Sequence, residues 1–216
     1  MLVKDRMTPD PICGGPEMPV TEARALMIEN SFRHLPILDE EQRLIGLVTR
    51  STLLSALPSD ISNFSRFEIT YTLAKIKARA VMLKDITTIG DDTPIEEAAR
   101  IMAEERIGCL PVMRDGHLVG IITDNDIFNI MVDLLGARRH GIRVSVLQPD
   151  RVGAIARLTN AIAEAGGYLS VNVGYYPENI PDAWISVCKV NNIDKKQLTE
   201  VINNLEDMSI YDLREI

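Results

Sequence analysis

Cysteines at 13, 109 and 188, histidines at 34, 117 and 140, and the paired carboxylates Asp91-Asp92 and Glu96-Glu97 are side chains whose types could do chemistry. Their spacing does not assemble a catalyst. The cysteines are scattered without a CxxC pair, which argues against both a zinc site and a disulfide framework. Small buried apolar residues in a reducing compartment explain them better. No His/Cys/Asp cluster has metal-ligand spacing, and no nucleophile elbow, Walker loop or GxGxxG turn is present. Glu96-Glu97 stand where a helix start favours negative charge, which accounts for them better than acid–base catalysis. His140 belongs to Arg138-Arg139-His140, read as a solvated connection after a helix that Gly136 stops. The chain therefore reads as a non-catalytic protein without a metal.

Charge and hydropathy narrow the partners. Of 216 residues 46% are hydrophobic and 25% charged, enough for ordinary cores. A net charge of −8 with no dense basic stripe argues against nucleic acid. The longest apolar stretch, 127–135, is too short and too polar to span a bilayer, and the first residues lack the apolar run of a signal peptide. A soluble, cytoplasmic protein with no membrane partner is expected.

The elements that position these side chains come from a duplication. Met7, Pro19, Ala23, Met27 and Leu35-Pro36 recur 75 residues later as Met82, Pro94, Ala98, Met102 and Leu110-Pro111. Gly46 and Thr49 recur 74 residues later as Gly120 and Thr123, because the first copy carries one extra residue around Asp39–Gln42. A fixed spacing with one turn indel marks a repeated supersecondary unit. Two such units are expected to pack about a pseudo-two-fold axis, leaving clefts between them. Each copy predicts a proline in the first helical turn, with Asp92 or Thr93 as N-cap in the second. The helices are expected over 20–29 and 95–105, then strands over 34–38 with 44–48 and over 109–113 with 118–122. The second hairpin turns at Arg114-Asp115-Gly116, and a second helix follows Thr49 and Thr123. Ile69, Leu73, Ile76 and Ala80 form a helical stripe over 67–81, read as a connector packed on one copy. Methionines 7, 18, 27, 82, 102, 113 and 131 read as gap-filling core.

Beyond residue 140 the pattern changes. Strands are expected over 142–147, 168–175, 183–190 and 208–213, with helices over 154–165 and 195–205. Gly166-Gly167 stops the first of these helices, as a C-cap needing positive φ. The order β-α-β-β-α-β is the ferredoxin-like split unit. Trp184, in a strand, reads as core or interface.

HLPILDEEQRLIGLVT and CLPVMRDGHLVGIITDND, each after a proline-started helix, resemble CBS domains, and the pair resembles the tandem (Bateman) module they form. The tail, VSVLQPDRVGAIARLTNAIAEAGG, resembles an ACT domain. The implied fold is mixed α/β and α+β: repeat 1 over 1–58, a connector over 59–81, repeat 2 over 82–136 and the ACT domain over 137–216. This domain order resembles that of acetoin-utilisation proteins, which implies a link to that pathway.

The resemblance to CBS domains implies an adenine nucleotide in the clefts: AMP, ADP, ATP or S-adenosylmethionine, as a regulatory ligand and not a required cofactor. In that family a Thr or Ser at the last strand's end, with Asp three residues on, grips the ribose hydroxyls. Thr123 and Asp126 keep this pattern. The first copy has Thr49 and Thr52, and one hydroxyl cannot accept from both hydroxyls of a diol. One competent ribose site is therefore expected, at Asp126. Arg33, His34 and Arg50 match positions that could meet phosphate, and Asp126 also has a plain reading as a first-turn carboxylate. The ACT resemblance implies a small effector, such as an amino acid, at Asp150, Arg151, Gly153 and Ala154, or dimerisation there. Gly153 lets backbone amides approach a carboxylate at the helix start. The overall expectation is a homodimeric regulatory sensor of small molecules. The alternative is a structural or assembly protein with vestigial ligand sites.

Overall fold

The computed structural model describes residues 1–55 and 75–216. The chain divides into two compact units, Met1–Ile127 and Phe128–Ile216. Most of the helical stripe expected over 67–81 lies outside the described residues; its end forms a short helix, Ala78–Val81.

In the first unit the two copies share a helix, a strand pair and a closing helix, and the second adds a short strand where the first has only the bridge of Gly14 to Ile37. The first has α1 (Val20–Glu29), β2 (His34–Leu38), β3 (Leu44–Thr49) and α2 (Arg50–Ser55). With β1 as Thr8–Pro9 and α3 as Ala78–Val81, the second has β4 (Ile89–Gly90), α4 (Ile95–Glu105), β5 (Cys109–Arg114) and β6 (His117–Thr123). Its closing helix, α5 (Asp124–Leu134), runs across the boundary of the two units. The hairpin between β5 and β6 turns through Asp115 and Gly116, both at positive φ, the geometry a two-residue hairpin turn requires.

The opening segments of the copies are exchanged. β1 pairs antiparallel with β6 of the second copy, Thr8 opposite Ile121, while Leu83 bridges Leu47 of the first. Val3 N donates to Thr93 O (2.9 Å), and its counterpart Ala78 N donates to Met18 O (2.8 Å). Val3 and Ala78 are both fully buried. Ile95 N, the first amide of α4, donates to Met1 O, as Val20 N of α1 does to Ile76 O. A backbone carbonyl from the exchanged segment thus satisfies a helix-start amide that otherwise needs a side-chain cap.

This exchange corrects the expected helix starts. Neither Asp92 nor Thr93 caps α4, and the prolines do not lie inside the first turn: Pro94 and Pro19 are themselves the N-cap residues, in extended conformation. The cross-copy pairing of Leu2 with Pro94 and of Lys77 with Pro19 holds them extended.

The shared glycines and methionines have one explanation. A Cβ on Gly120 would stand 2.4 Å from the Met7 sulfur, and one on Gly46 would stand 2.2 Å from that of Met82. Each exchanged segment seats its methionine on the other copy's glycine. Met27 and Met102 are buried core, as gap-filling predicts, but Met131 is 48% exposed on α5. The first copy's core gathers Val20, Ala23, Leu35, Ile37 and Val48.

The second unit orders β7 (Ile142–Pro149), α6 (Ala154–Glu164), β8 (Tyr168–Tyr175), β9 (Ala183–Asn191), α7 (Lys195–Asn203) and β10 (Ser209–Glu215). The sheet runs β10-β7-β9-β8, antiparallel at every step. Val144, Val146, Cys188 and Val190 on the strands pack with Leu158, Ile162, Leu198 and Ile202 of the helices. Gly136 and Gly166 both take positive φ just beyond helix ends. Trp184 meets Tyr176 edge to face, centroids 4.8 Å apart, with its indole over Gly174. No described helix is long and apolar enough to cross a membrane.

Candidate functional site

A cavity of about 650 Å³ lies within the first unit, a size suited to a small organic ligand. Three pieces of chain far apart in sequence form it. Thr8 lies in exchanged strand β1, and Asp10, Pro11 and Ile12 follow it. Asn30 to His34 link α1 to β2. Ile121, Thr123, Asn125 and Asp126 close β6 and open α5. Ser31 and Asp10 both hold positive φ, so the chain bends sharply at each.

Four of the five expected nucleotide-site residues therefore meet: Thr123, Asp126, Arg33 and His34. Arg50 is not among the residues lining this cavity; it starts α2 with an exposed side chain and its amide donates to Arg33 O. Sequence reasoning missed Asp10, Ile12, Asn30, Phe32 and Ile121, since nothing local in the sequence signals the exchange that brings residues 8–12 to β6.

The Asp126 carboxylate is half committed. Its Oδ2 accepts from Thr123 N (2.8 Å) and from Thr123 Oγ1 (2.7 Å), closing the strand-to-helix turn. Those two bonds fill one oxygen, and Oδ1 keeps its own lone pairs. The first copy copies the turn with a hydroxyl: Thr49 N donates to Thr52 Oγ1 (3.0 Å), and Thr52 Oγ1 donates onward to Thr49 O. The turn survives there without a carboxylate.

Arg33 reaches from the first copy to Asp124 of the second, Nη2 to Oδ1 2.6 Å. The same Oδ1 accepts from Asn125 N at 2.7 Å. Burial, then the neighbouring Arg33 charge, holds His34 below its ordinary pKa despite the opposing pull of Asp124, so the imidazole is neutral at pH 7. Cys109 is pushed up to about 12 by burial and then by the Asp124 carboxylate, which leaves it an inert thiol. Among the described residues no cluster of three His, Cys, Asp or Glu could hold a metal.

In the second unit, the expected effector residues form the β7–α6 loop. Gly153 is the α6 N-cap at φ 85°, Ala154 is buried, and Asp150 N donates to Asp182 O (2.9 Å). Arg151 and Arg157 both bind Asp207 Oδ2. None of the four lines the neighbouring cavity of about 360 Å³, but Gln148, Asp182, Glu206 and Asp207 do. Gln148 is 2% exposed and its Nε2 donates to Ser186 Oγ, while its Oε1 and Asp207 Oδ1 are buried without a partner among the described residues.

Known proteins share the first unit. The CBS domain model matches residues 3–59 and 78–133, just over half of the sequence. The chain belongs to the CBS-domain family, as a tandem pair. Among solved structures, a candidate acetoin utilization protein (AcuB) from Vibrio cholerae is 32% identical with a TM-score of 0.53, covering 64% of this chain and 95% of that one. The CBS pair of MJ0100, in complex with 5′-methylthioadenosine and S-adenosyl-L-methionine, is 26% identical with a TM-score of 0.52, covering 64% and 98%. CBSX2 in complex with AMP is 27% identical with a TM-score of 0.51, over the same shares. The chain spans 22% and 45% of the length of two curated relatives from Methanocaldococcus jannaschii.

Proposed function

We propose that this chain is a non-catalytic regulatory sensor whose CBS pair binds an adenine nucleoside or nucleotide in the cavity between the copies. The observation that carries this reading is Asp126: a carboxylate on the cavity wall, fixed through one oxygen by Thr123, with the other oxygen left for a ribose diol. Phe32, Ile12 and Ile121 give an apolar wall for the base. The complexes of MJ0100 and CBSX2 support the ligand class.

The second unit is read as an ACT-type, ferredoxin-like domain over 137–216, on the support of its element order and strand order. Its effector is a small molecule such as an amino acid. Two acceptors without a partner among the described residues, Gln148 Oε1 and Asp207 Oδ1, belong to side chains that line a cavity with Asp182 and Glu206, which suits an ammonium donor. Repeat 1 over 1–58, the connector over 59–81 and repeat 2 over 82–136 remain the proposed division, and a role in acetoin utilisation is proposed on the likeness to the Vibrio protein. Binding in one unit would bias the other through two states of the chain, which is what regulation requires.

Calorimetric titration with AMP, ADP, ATP and S-adenosylmethionine tests the nucleotide reading. Micromolar binding by at least one, lost in Asp126→Asn, is expected. Asparagine keeps one acceptor oxygen for the Thr123 turn but lacks the charged acceptor for a diol, so folding survives while binding fails. Silence from all four ligands with folded, ligand-free protein would leave the assembly role, with vestigial sites, as the better reading.

A further inference from the structure

We propose that the cavity selects an adenosine ligand whose 5′ substituent is uncharged or cationic, and discriminates against a 5′-phosphate. The inference rests on the reading of the cavity as an adenosine site and adds the chemistry of the ligand's tail.

A phosphate needs a cation or a row of free amides. The described lining offers three such groups, and each is already engaged or uncharged. The Arg33 guanidinium is paired with Asp124. The start of α5 would suit an anion, but its amides are already met: Asp124 N donates to Gly108 O, Asn125 N to Asp124 Oδ1 and Asp126 N to Thr123 Oγ1 (3.4 Å). His34 is neutral, held so by burial and by Arg33.

The remaining charge is negative. Asp10 lines the same cavity, turned there by its positive φ and by its amide bond to Val119 O (3.2 Å). Its carboxylate has no partner among the described residues. Asp10, Asp124 and Asp126 thus stand against Arg33 alone. A phosphate would have to displace Asp124 from Arg33 and still face two further carboxylates. A thioether loses nothing there, and a sulfonium or ammonium gains from the same field. The duplication sharpens the point, because Asp124 occupies the place that Arg50 holds in the first copy, 74 residues earlier. The charge at this corner is reversed between the copies.

Matched ligands separate the tail from the nucleoside. Adenosine, 5′-methylthioadenosine, S-adenosylmethionine and AMP are titrated by calorimetry at low ionic strength, counting only the binding that Asp126→Asn removes. Methylthioadenosine and S-adenosylmethionine are expected to bind at least about tenfold more tightly than AMP. Asp124→Asn, which releases Arg33, is expected to raise the ratio of AMP to methylthioadenosine affinity about tenfold, and Asp10→Asn is expected to remove the advantage of the sulfonium over the thioether. AMP binding as tight as methylthioadenosine, or a ratio unmoved by Asp124→Asn, overturns the selectivity and leaves the adenosine site standing. Failure of all four to bind overturns both.

Discussion

At the scale of single residues, the equivalent position does two jobs in the second copy and one in the first. Position 126 closes the strand-to-helix turn and offers a spare carboxylate oxygen; position 52 closes the equivalent turn with a hydroxyl and offers none. The same turn is closed by a different acceptor in each copy, and only Asp126 leaves a carboxylate oxygen for the proposed diol. His34 supplies a pH prediction. Burial lowers its pKa in the folded protein, so between that lowered value and the unfolded value near 6.5 the unfolded chain binds more protons. Stability therefore rises with pH through that window and falls as pH drops below about 6.5. Thermal melts from pH 7.5 to 5 should show a steeper loss in wild type than in His34→Gln, and parallel curves would contradict the assignment.

At the scale of elements, the exchange of opening segments explains features that are otherwise separate. It accounts for extended prolines at two helix starts, for buried Val3 and Ala78, and for glycines under methionines. Gly46→Ala would place its Cβ 2.2 Å from the Met82 sulfur and 3.0 Å from the Met82 Cβ. The sulfur can swing aside, but the Cβ is fixed to the backbone of the exchanged segment. Overpacking of this kind costs about 1–3 kcal/mol. Combining Gly46→Ala with Met82→Ala should recover part of that loss, so a double-mutant cycle by chemical denaturation should show coupling of about 0.5 kcal/mol or more. Additive effects would mean the contact is slack.

At the scale of the whole molecule, α5 exposes Phe128, Met131 and Leu134, and Leu135 follows just beyond its end, at 46–63% of their accessible area; such a patch supports the expected homodimer. Light scattering at micromolar concentration should give twice the mass of one chain, and Phe128→Glu should shift it towards one. A wild-type monomer would refute this. The sequence alone determined the duplication, the spans of α1 and α4, the strand pairs within each copy and the asymmetry of Asp126 against Thr52. These are local matters, set by periodicity, turn chemistry and residue type over a few neighbouring positions. The tertiary structure decided the rest. That Pro94 caps its helix, that residues 8–12 line a cavity with Asp126, and that Asp124 occupies Arg33 all depend on contacts between residues about 90 or more apart. No local pattern records which partner a carboxylate or an opening strand will find, because that is fixed only when the two copies close on each other.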